Sequence, residues 1–307
     1  MNAIESQDLT CRFGATLAVN GVDLAVPQGS IYAFLGPNGA GKTTTIKALM
    51  NILFPARGKA AVLGTDSRKL GRAEFERIGY VSENQKQPGW MTVGGLMDYC
   101  RPLYPKWDRA FEAELFDRLD VPRELKLSAC SRGQRMKAAL ISSLAYRPEL
   151  LVLDEPFSGL DPLVRQEFIE GVLGLIGQEN WTIFVSSHDI DEVERLADHV
   201  GVIHEGRLRL QESTESLNAR YRAVEVATAA PAQAPANPPA HWAALNASAH
   251  AVTFVTSRFD QGGLESEIRA AIPGAGKFEA RPLTLKETYL AVARSFRAPR
   301  PAQAAAA

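Results

Sequence analysis

Cysteine is scarce in this sequence: Cys11, Cys100 and Cys130 are the only three in 307 residues, far apart and without a C-x-x-C pair. An odd, scattered set argues against a disulfide framework and against a zinc site, and it fits a reducing compartment. Long apolar runs are missing too. A membrane span needs about 18 consecutive apolar residues, and runs such as 31–36 and 171–177 fall far short. Charge of either sign is not in excess. With 34 Lys and Arg against 35 Asp and Glu the net charge is −1, which gives no electrostatic case for nucleic acid. Glu5 and Asp8 stand where a secretory leader is basic and then apolar, so export of the chain itself is not expected. There is no internal repeat. What is present is 46% hydrophobic and 22% charged residues, over a length that suits one large α/β domain with a small appendage.

The most informative stretch is Gly36-Pro37-Asn38-Gly39-Ala40-Gly41-Lys42-Thr43-Thr44. It fits G-x-x-x-x-G-K-[ST], follows a strand-like apolar run at 31–35, and opens a helix-like run at 42–50. The glycines let successive N–H groups turn inward and, with the helix N-terminus, form a nest for anions. Lys42 would place its charge on the β and γ phosphates of a nucleotide, and the Thr43 hydroxyl would ligate Mg²⁺.

Ahead of this loop, segments 17–19 and 22–26 read as short strands around an Asn20-Gly21 turn. Phe13, if exposed, could lie flat on an adenine ring, although a lone Phe is more often core. Beyond the loop, 60–64 and 78–81 read as strands and 73–77 as a helical stretch. Segment 82–89 follows the second strand and carries Glu83 and Gln85. It is either a solvated loop or, at the carboxyl edge of an α/β sheet, a place to reach a ligand.

Residues 91–149 lack strand alternation and read as three helices at 93–103, 108–119 and 131–146, punctuated by Pro102, Pro105 and Pro122. The last opens on Ser131-Arg132-Gly133-Gln134, a capping box whose N–H groups and dipole could also face an anion. An apolar run at 150–153 then ends in Asp154-Glu155-Pro156, as expected of a central parallel strand. Two carboxylates there should not both be buried without a cation. Asp154 reads as the acidic partner of the Mg²⁺ held by Thr43, and Glu155 as a base for an attacking water. Next comes an amphipathic helix with Phe168, Val172, Leu175 and Ile176 at helical spacing. A strand at 182–185 ends in Ser186-Ser187-His188, which brings His188 to the same sheet edge as Glu155. His188 could bond the γ phosphate or the water, or be a structural donor.

A hairpin is expected at 200–210 around Glu205-Gly206. Residues 229–240 are Ala and Pro except for Gln233 and Asn237, a linker composition. Strands at 251–255 and 277–281, with which 221–226 could pair, alternate with helices at 264–272 and 285–293, the second capped by Thr284 with Glu287. The tail 298–307 has the composition of a disordered segment.

Taken together, these residues resemble the ATP-binding subunits of ABC transporters over about residues 4–210, with each diagnostic motif present in order. The resemblance implies an α/β fold: a P-loop NTPase core with a mixed sheet, an antiparallel β subdomain and a helical insertion, plus a small C-terminal α+β extension. The domains would be 1–215, with the insertion at about 91–149, then 216–297 with the linker 229–240. In that family the aromatic at Phe13 stacks on adenine, Gly36 to Thr44 is the Walker A loop, and 150–155 is Walker B with Glu155 catalytic. Residues 158–161 match the D-loop and His188 the switch histidine. Cys130-Ser131-Arg132-Gly133-Gln134 stands where the family carries Leu-Ser-Gly-Gly-Gln. Cys130 and Arg132 depart from it, while Ser131, Gly133 and Gln134 keep the groups that face phosphate. Glu83 stands in place of the Q-loop glutamine, where a carboxylate can still bind Mg²⁺ or water.

The resemblance further implies a head-to-tail dimer sandwiching two ATP, either a homodimer or a heterodimer. A separate permease would dock near residues 83–107, with the ATPase on the inner face of the cell membrane. The C-terminal part, and Tyr104-Pro105-Lys106-Trp107-Asp108, are similar to ATPases that serve ABC-2-type exporters. The expected activity is ATP hydrolysis driving export of an unidentified substrate. The alternative is a non-transport ABC ATPase acting on DNA or ribosomes, although the chain has neither long coiled coils nor tandem ATPase units. A P-loop kinase or GTPase is a third class, disfavoured by the lack of a guanine-reading Asn-Lys-x-Asp.

Overall fold

The computed structural model describes residues 1–176, 181–228 and 233–297. The chain divides into two compact units, Met1–Gln211 and Glu212–Ala307. In the first, β1 (Asn2–Phe13), β2 (Thr16–Val22) and β3 (Ala25–Pro27) precede β4 (Ile31–Leu35), and α1 (Lys42–Leu49) follows. β5 (Arg57–Val62), β6 (Thr65–Asp66), α2 (Arg72–Phe75) and β7 (Ile78–Ser82) come next. Three helices, α3 (Val93–Cys100), α4 (Arg109–Leu119) and α5 (Arg132–Leu144), then lead to β8 (Leu150–Asp154). α6 (Pro162–Ile176), β9 (Thr182–Ser187), β10 (His199–His204) and β11 (Arg207–Ser213) complete the order.

Strands β11-β10-β4-β9-β8-β7 form the central sheet, in which β10, β4, β9, β8 and β7 run parallel to one another. β4, β8 and β9 are buried along their whole length, which is why they read as unbroken apolar runs rather than alternating ones. Their register decides where chemistry can occur. Leu35 pairs with Ser187, Asp154 with Ser186, and Ser82 with Asp154, so four strands end along one edge. Gly36, Glu83, Glu155 and His188 are the next residues of those four strands.

An antiparallel sheet, β2-β1-β5-β6 with β3 paired to β1, lies in the same unit. The turn expected at Asn20-Gly21 is not there. Phe13 pairs with Thr16, so the hairpin turns at Gly14-Ala15, and Asn20-Gly21 falls inside β2 where the register shifts between Leu9–Val22 and Cys11–Val19. Gly21 has φ 67°, and an Asn-Gly pair supplies a positive φ to a bulge as readily as to a turn.

The helices between β7 and β8 are begun by side chains. Thr92 Oγ1 accepts from Gly95 N at 3.0 Å, and Asp108 Oδ1 accepts from Ala110 N and Phe111 N at 3.0 Å. Glu112 of α4 is buried and accepts from Arg101 (2.9 Å), Trp107 Nε1 (2.7 Å) and Arg123 (2.7 Å). Burial pushes its carboxyl upward, but those donors outweigh it and hold the group below its ordinary value. Tyr104 stacks on Tyr146 with centroids 3.9 Å apart. The Tyr104 to Asp108 segment thus has a packing role inside the insertion.

The second unit begins with α7 (Thr214–Arg220) and holds β12 (Arg222–Thr228), β13 (Trp242–Ala247), β14 (Ala251–Thr256), α8 (Gln261–Ala271), β15 (Ala275–Pro282) and α9 (Leu285–Arg297). β13 is a strand that composition beside the Ala and Pro run conceals. The sheet order is β13-β14-β12-β15, and Leu264, Ile268 and Ile272 close over Val224, Val226, Val252 and Phe254. Trp242 stacks on Phe254 at 3.8 Å. The linker reading at 229–232 and the tail reading at 298–307 lie outside the described residues, as do the side chains of Val172, Leu175 and Ile176. The three cysteines are free.

Candidate functional site

The loop between β4 and α1 wraps the start of the helix. Gly41, the N-cap of α1, has φ 109°, and no side chain caps the helix, so its first N–H groups are left for another acceptor. A methyl group at Gly41 would run into Ala18 O, and one at Gly36 into Ile203 O. Lys42 is 5% exposed, and its ammonium lies 2.6 Å from Gly36 O, 3.2 Å from Pro37 O and 2.9 Å from Glu155 Oε1. Ala40 closes the turn by donating to Pro37 O at 3.1 Å and accepting from Gly206 N at 2.9 Å. Thr43 Oγ1 donates to Asp154 Oδ1 at 3.0 Å.

The end of β8 supplies the carboxylates. Asp154 and Glu155 are both buried, 2% and 9% exposed, and Lys42 is the cation that accompanies them. Asp154 also accepts from Ser186 Oγ at 2.9 Å, while Ser186 Oγ accepts from Glu155 N at 3.0 Å. Burial pushes the Asp154 carboxyl above its ordinary value, against the lowering pull of Ser186 and Thr43. Such a buried acid is short of positive charge. Glu155 takes a left-handed backbone, φ 54°, before Pro156. His188 Nδ1 lies 2.7 Å from Glu155 Oε2.

Behind His188 a second network fixes the turn. Ser187 Oγ donates to the buried Glu192 and accepts from Asp189 N at 3.0 Å, and Arg165 of α6 reaches Glu192 at 3.4 Å and Asp189 at 3.5 Å. These contacts tie 187–192 to α6 and hold the imidazole in place.

A cleft of about 230 Å³ is lined by Asn38, Gly39, Gly41, Lys42, Thr43 and Thr44 of the loop, with Ala18, Glu83 and Glu155. The structure thus brings together the phosphate-binding loop, Asp154, Glu155, His188 and Glu83. Phe13, Ser131, Gly133 and Gln134 are not in that lining. Phe13 is 53% exposed at the end of β1. Ser131 and Gln134 begin α5 with a full capping box, Gln134 N to Ser131 Oγ at 3.1 Å and Ser131 N to Gln134 Oε1 at 2.9 Å, and Gly133 lies in that first turn against Val164. Glu83 points to Arg132, with which it forms an ion pair. Ser186 and Ala18 were not singled out from sequence. Ser186 had a signal, its place two residues before His188 at a strand end; Ala18 had none.

The donor set suits a triphosphate with a hard cation. An uncapped helix start and a buried ammonium match phosphate oxygens, and Thr43 with Asp154 offers the hydroxyl and carboxylate that Mg²⁺ takes alongside phosphates. Among the described residues no group of three or more His, Cys, Asp or Glu could hold a metal alone, so phosphate oxygens would have to complete the shell.

The family model described as ABC transporter matches residues 19–158. The bacitracin transport ATP-binding protein BcrA of Bacillus licheniformis is 35% identical over 225 residues, 71% of this chain and 72% of that protein. The daunorubicin/doxorubicin resistance ATP-binding protein DrrA of Streptomyces peucetius is 36% identical over 226 residues, 70% of this chain and 66% of that protein. Among solved structures, an ATP-binding subunit of an ABC transporter superposes with TM-score 0.63 at 23% identity, over 71% of this chain and 92% of that one. A dimeric ATP-binding cassette in a post-hydrolysis state, bound to ADP and Pi, superposes with TM-score 0.60 at 19% identity, over 68% and 98%. At these identities the superpositions establish the fold, an α/β P-loop cassette.

Proposed function

The chain belongs to the ABC transporter family, as an ATP-binding and ATP-hydrolysing subunit, and from that premise we propose that it powers export through a separate membrane permease. One observation carries the reading: Lys42, Glu155 and His188 form a chain of contacts at 2.9 and 2.7 Å, at the sheet edge where Thr43 meets Asp154.

Lys42 would bind the β and γ phosphates, exchanging Glu155 for them, while the N–H groups of residues 39–44 cradle the same oxygens. Thr43 and Asp154 would hold Mg²⁺, with Glu83 beside them. When bound, the ion supplies positive charge for the phosphate oxygens. Glu155, released from Lys42, accepts a proton from the attacking water, and His188 keeps its carboxylate oriented. Phe13 would stack on adenine. Ser131, Gly133 and Gln134 would meet the nucleotide of a second copy, because α5 starts outside the cleft of its own chain.

Export is supported by the relatives named for bacitracin transport and for daunorubicin/doxorubicin resistance. No helix among the described residues is long and apolar enough to cross a membrane, and we assign the pore to a separate permease. Trp90, Tyr99 and Leu103, 76%, 63% and 52% exposed, give residues 83–107 an apolar surface for that permease. Docking there would hold the ATPase against the inner face of the cell membrane.

Light scattering after size exclusion on Glu155→Gln, with and without Mg-ATP, tests the composite site. The expected result is a monomer that becomes a dimer with ATP and hydrolyses it very slowly. Normal turnover would sink the assignment of the base, and bound ATP without a dimer would sink the homodimer.

A further inference from the structure

The two positions where the chain departs from its family in charge, Glu83 and Arg132, meet each other. Arg132 is the first residue of α5, at the positive end of the helix dipole, where a cation is disfavoured. Its guanidinium crosses from there to the Glu83 carboxylate and lies against Gly159, so close that a methyl group at Gly159 would collide with it. Gly159 has φ 66°, a conformation that suits glycine and leaves its face open. One side chain thus touches the loop after β7, the turn after β8 and the start of α5.

Glu83 has two neighbours to choose between. Its backbone N–H donates to Asp154 O at 3.0 Å, which anchors its Cα at the end of β8 regardless of where the side chain points. It lines the cleft with Lys42 and Thr43, and it also lines a separate small hollow of about 50 Å³ beside Arg132 and Arg135. Glu83 thus borders both, with its carboxylate held by Arg132. Gln87 Nε2 donates to Arg135 O at 3.0 Å, a second tie between this loop and α5.

We propose that Arg132 is a positioning residue for Glu83: it holds the carboxylate toward α5 and clamps residues 83–87 to that helix, and Glu83 exchanges Arg132 for the magnesium ion when nucleotide loads. The exchange rests on the functional reading above; the clamp does not. A divalent cation attracts a carboxylate about twice as strongly as a guanidinium at equal distance, so the metal wins the exchange but has to displace Arg132 first. Residue 132 therefore tunes how much magnesium adds to nucleotide affinity.

The test compares wild type, Arg132→Ala, Glu83→Gln and the double variant, titrated with ATP in magnesium chloride and in EDTA. Arg132→Ala is expected to tighten Mg-ATP binding about two- to fivefold, the range open to a half-exposed ion pair, with ATP in EDTA unchanged. In the Glu83→Gln background the same substitution should do nothing, and Arg132→Lys should keep the wild-type magnesium dependence. A role of Arg132 in folding alone would shift affinity equally with and without magnesium, or equally in both backgrounds, and either result overturns the proposal. Hydrogen exchange without nucleotide reads the clamp separately. Amides of 83–87 should exchange faster in Arg132→Ala and in Glu83→Gln, and unchanged exchange overturns the clamp. A wild-type chain that binds no Mg-ATP overturns the functional reading and the exchange with it, while the exchange rates of 83–87 still decide the clamp.

Discussion

Lys42 has three ammonium hydrogens and three acceptors within reach, Gly36 O, Pro37 O and Glu155. On the proposed function a triphosphate would have to compete with Glu155 for it, so that recognising the substrate and freeing the base would be one event. Hydrogen bonds to charged groups are worth about 1.5–3 kcal/mol net. Lys42→Ala should therefore weaken ATP binding roughly ten- to a hundredfold, measured by nucleotide titration of a variant whose fold is checked by circular dichroism. Unchanged binding in a folded variant would remove Lys42 from the phosphate site. The places of Lys42, Asp154 and Glu155 at one sheet edge were legible from sequence because the apolar runs before them read as buried strands. The ion pair of Glu83 with Arg132 was not legible. Forty-nine positions separate the two residues, and nothing local announces a contact across a fold.

Helix starts are the elements that sequence described best. The caps at Ser131 with Gln134, and at Thr284 with Glu287, form from residues three apart, so pattern and structure use the same information. The Asn20-Gly21 bulge and strand β13 were missed, because register and pairing belong to the partner strand as much as to the segment itself. At α9 the cap carries a charge. Arg281 donates to Glu287 at 3.0 and 2.6 Å and Thr284 N donates at 2.9 Å, which lowers the Glu287 carboxyl from an ordinary 4.5 to about 2. A carboxylate lowered on folding stabilises the native state above its unfolded value, and that contribution is lost as pH falls from about 4.5 through about 2. An NMR titration of the Glu287 carboxyl carbon should show a midpoint near 2, moving up in Arg281→Gln. A wild-type midpoint near 4.5 would show that the pair does not persist in solution.

On the scale of the whole molecule, the division falls after Gln211. Gln211 belongs with the ATPase: its Oε1 accepts from Ala25 N at 2.9 Å and from Tyr32 Oη at 2.8 Å. A chain ending at Gln211 should bind ATP like the full protein, whereas one ending at Thr228 would carry β12 without β14 and β15 and expose Val224 and Val226. Size exclusion and nucleotide titration of both check this. A folded, soluble 1–211 chain that fails to bind ATP would make the second unit integral to the site. The division after Gln211 comes from contacts that no composition shift marks.

The left-handed backbone at Glu155 sets a direction for evolution. A residue with a Cβ loses roughly 1–2 kcal/mol in that conformation, and glycine or asparagine relieves most of it. Against that strain stand the contacts of Glu155 with Lys42 and His188, and removing one partner of a buried ion pair costs about 3–5 kcal/mol. Position 155 is thus held by its neighbours as well as strained by its backbone, and a lineage of this chain that shed the carboxylate would have to shed the buried ammonium of Lys42 with it.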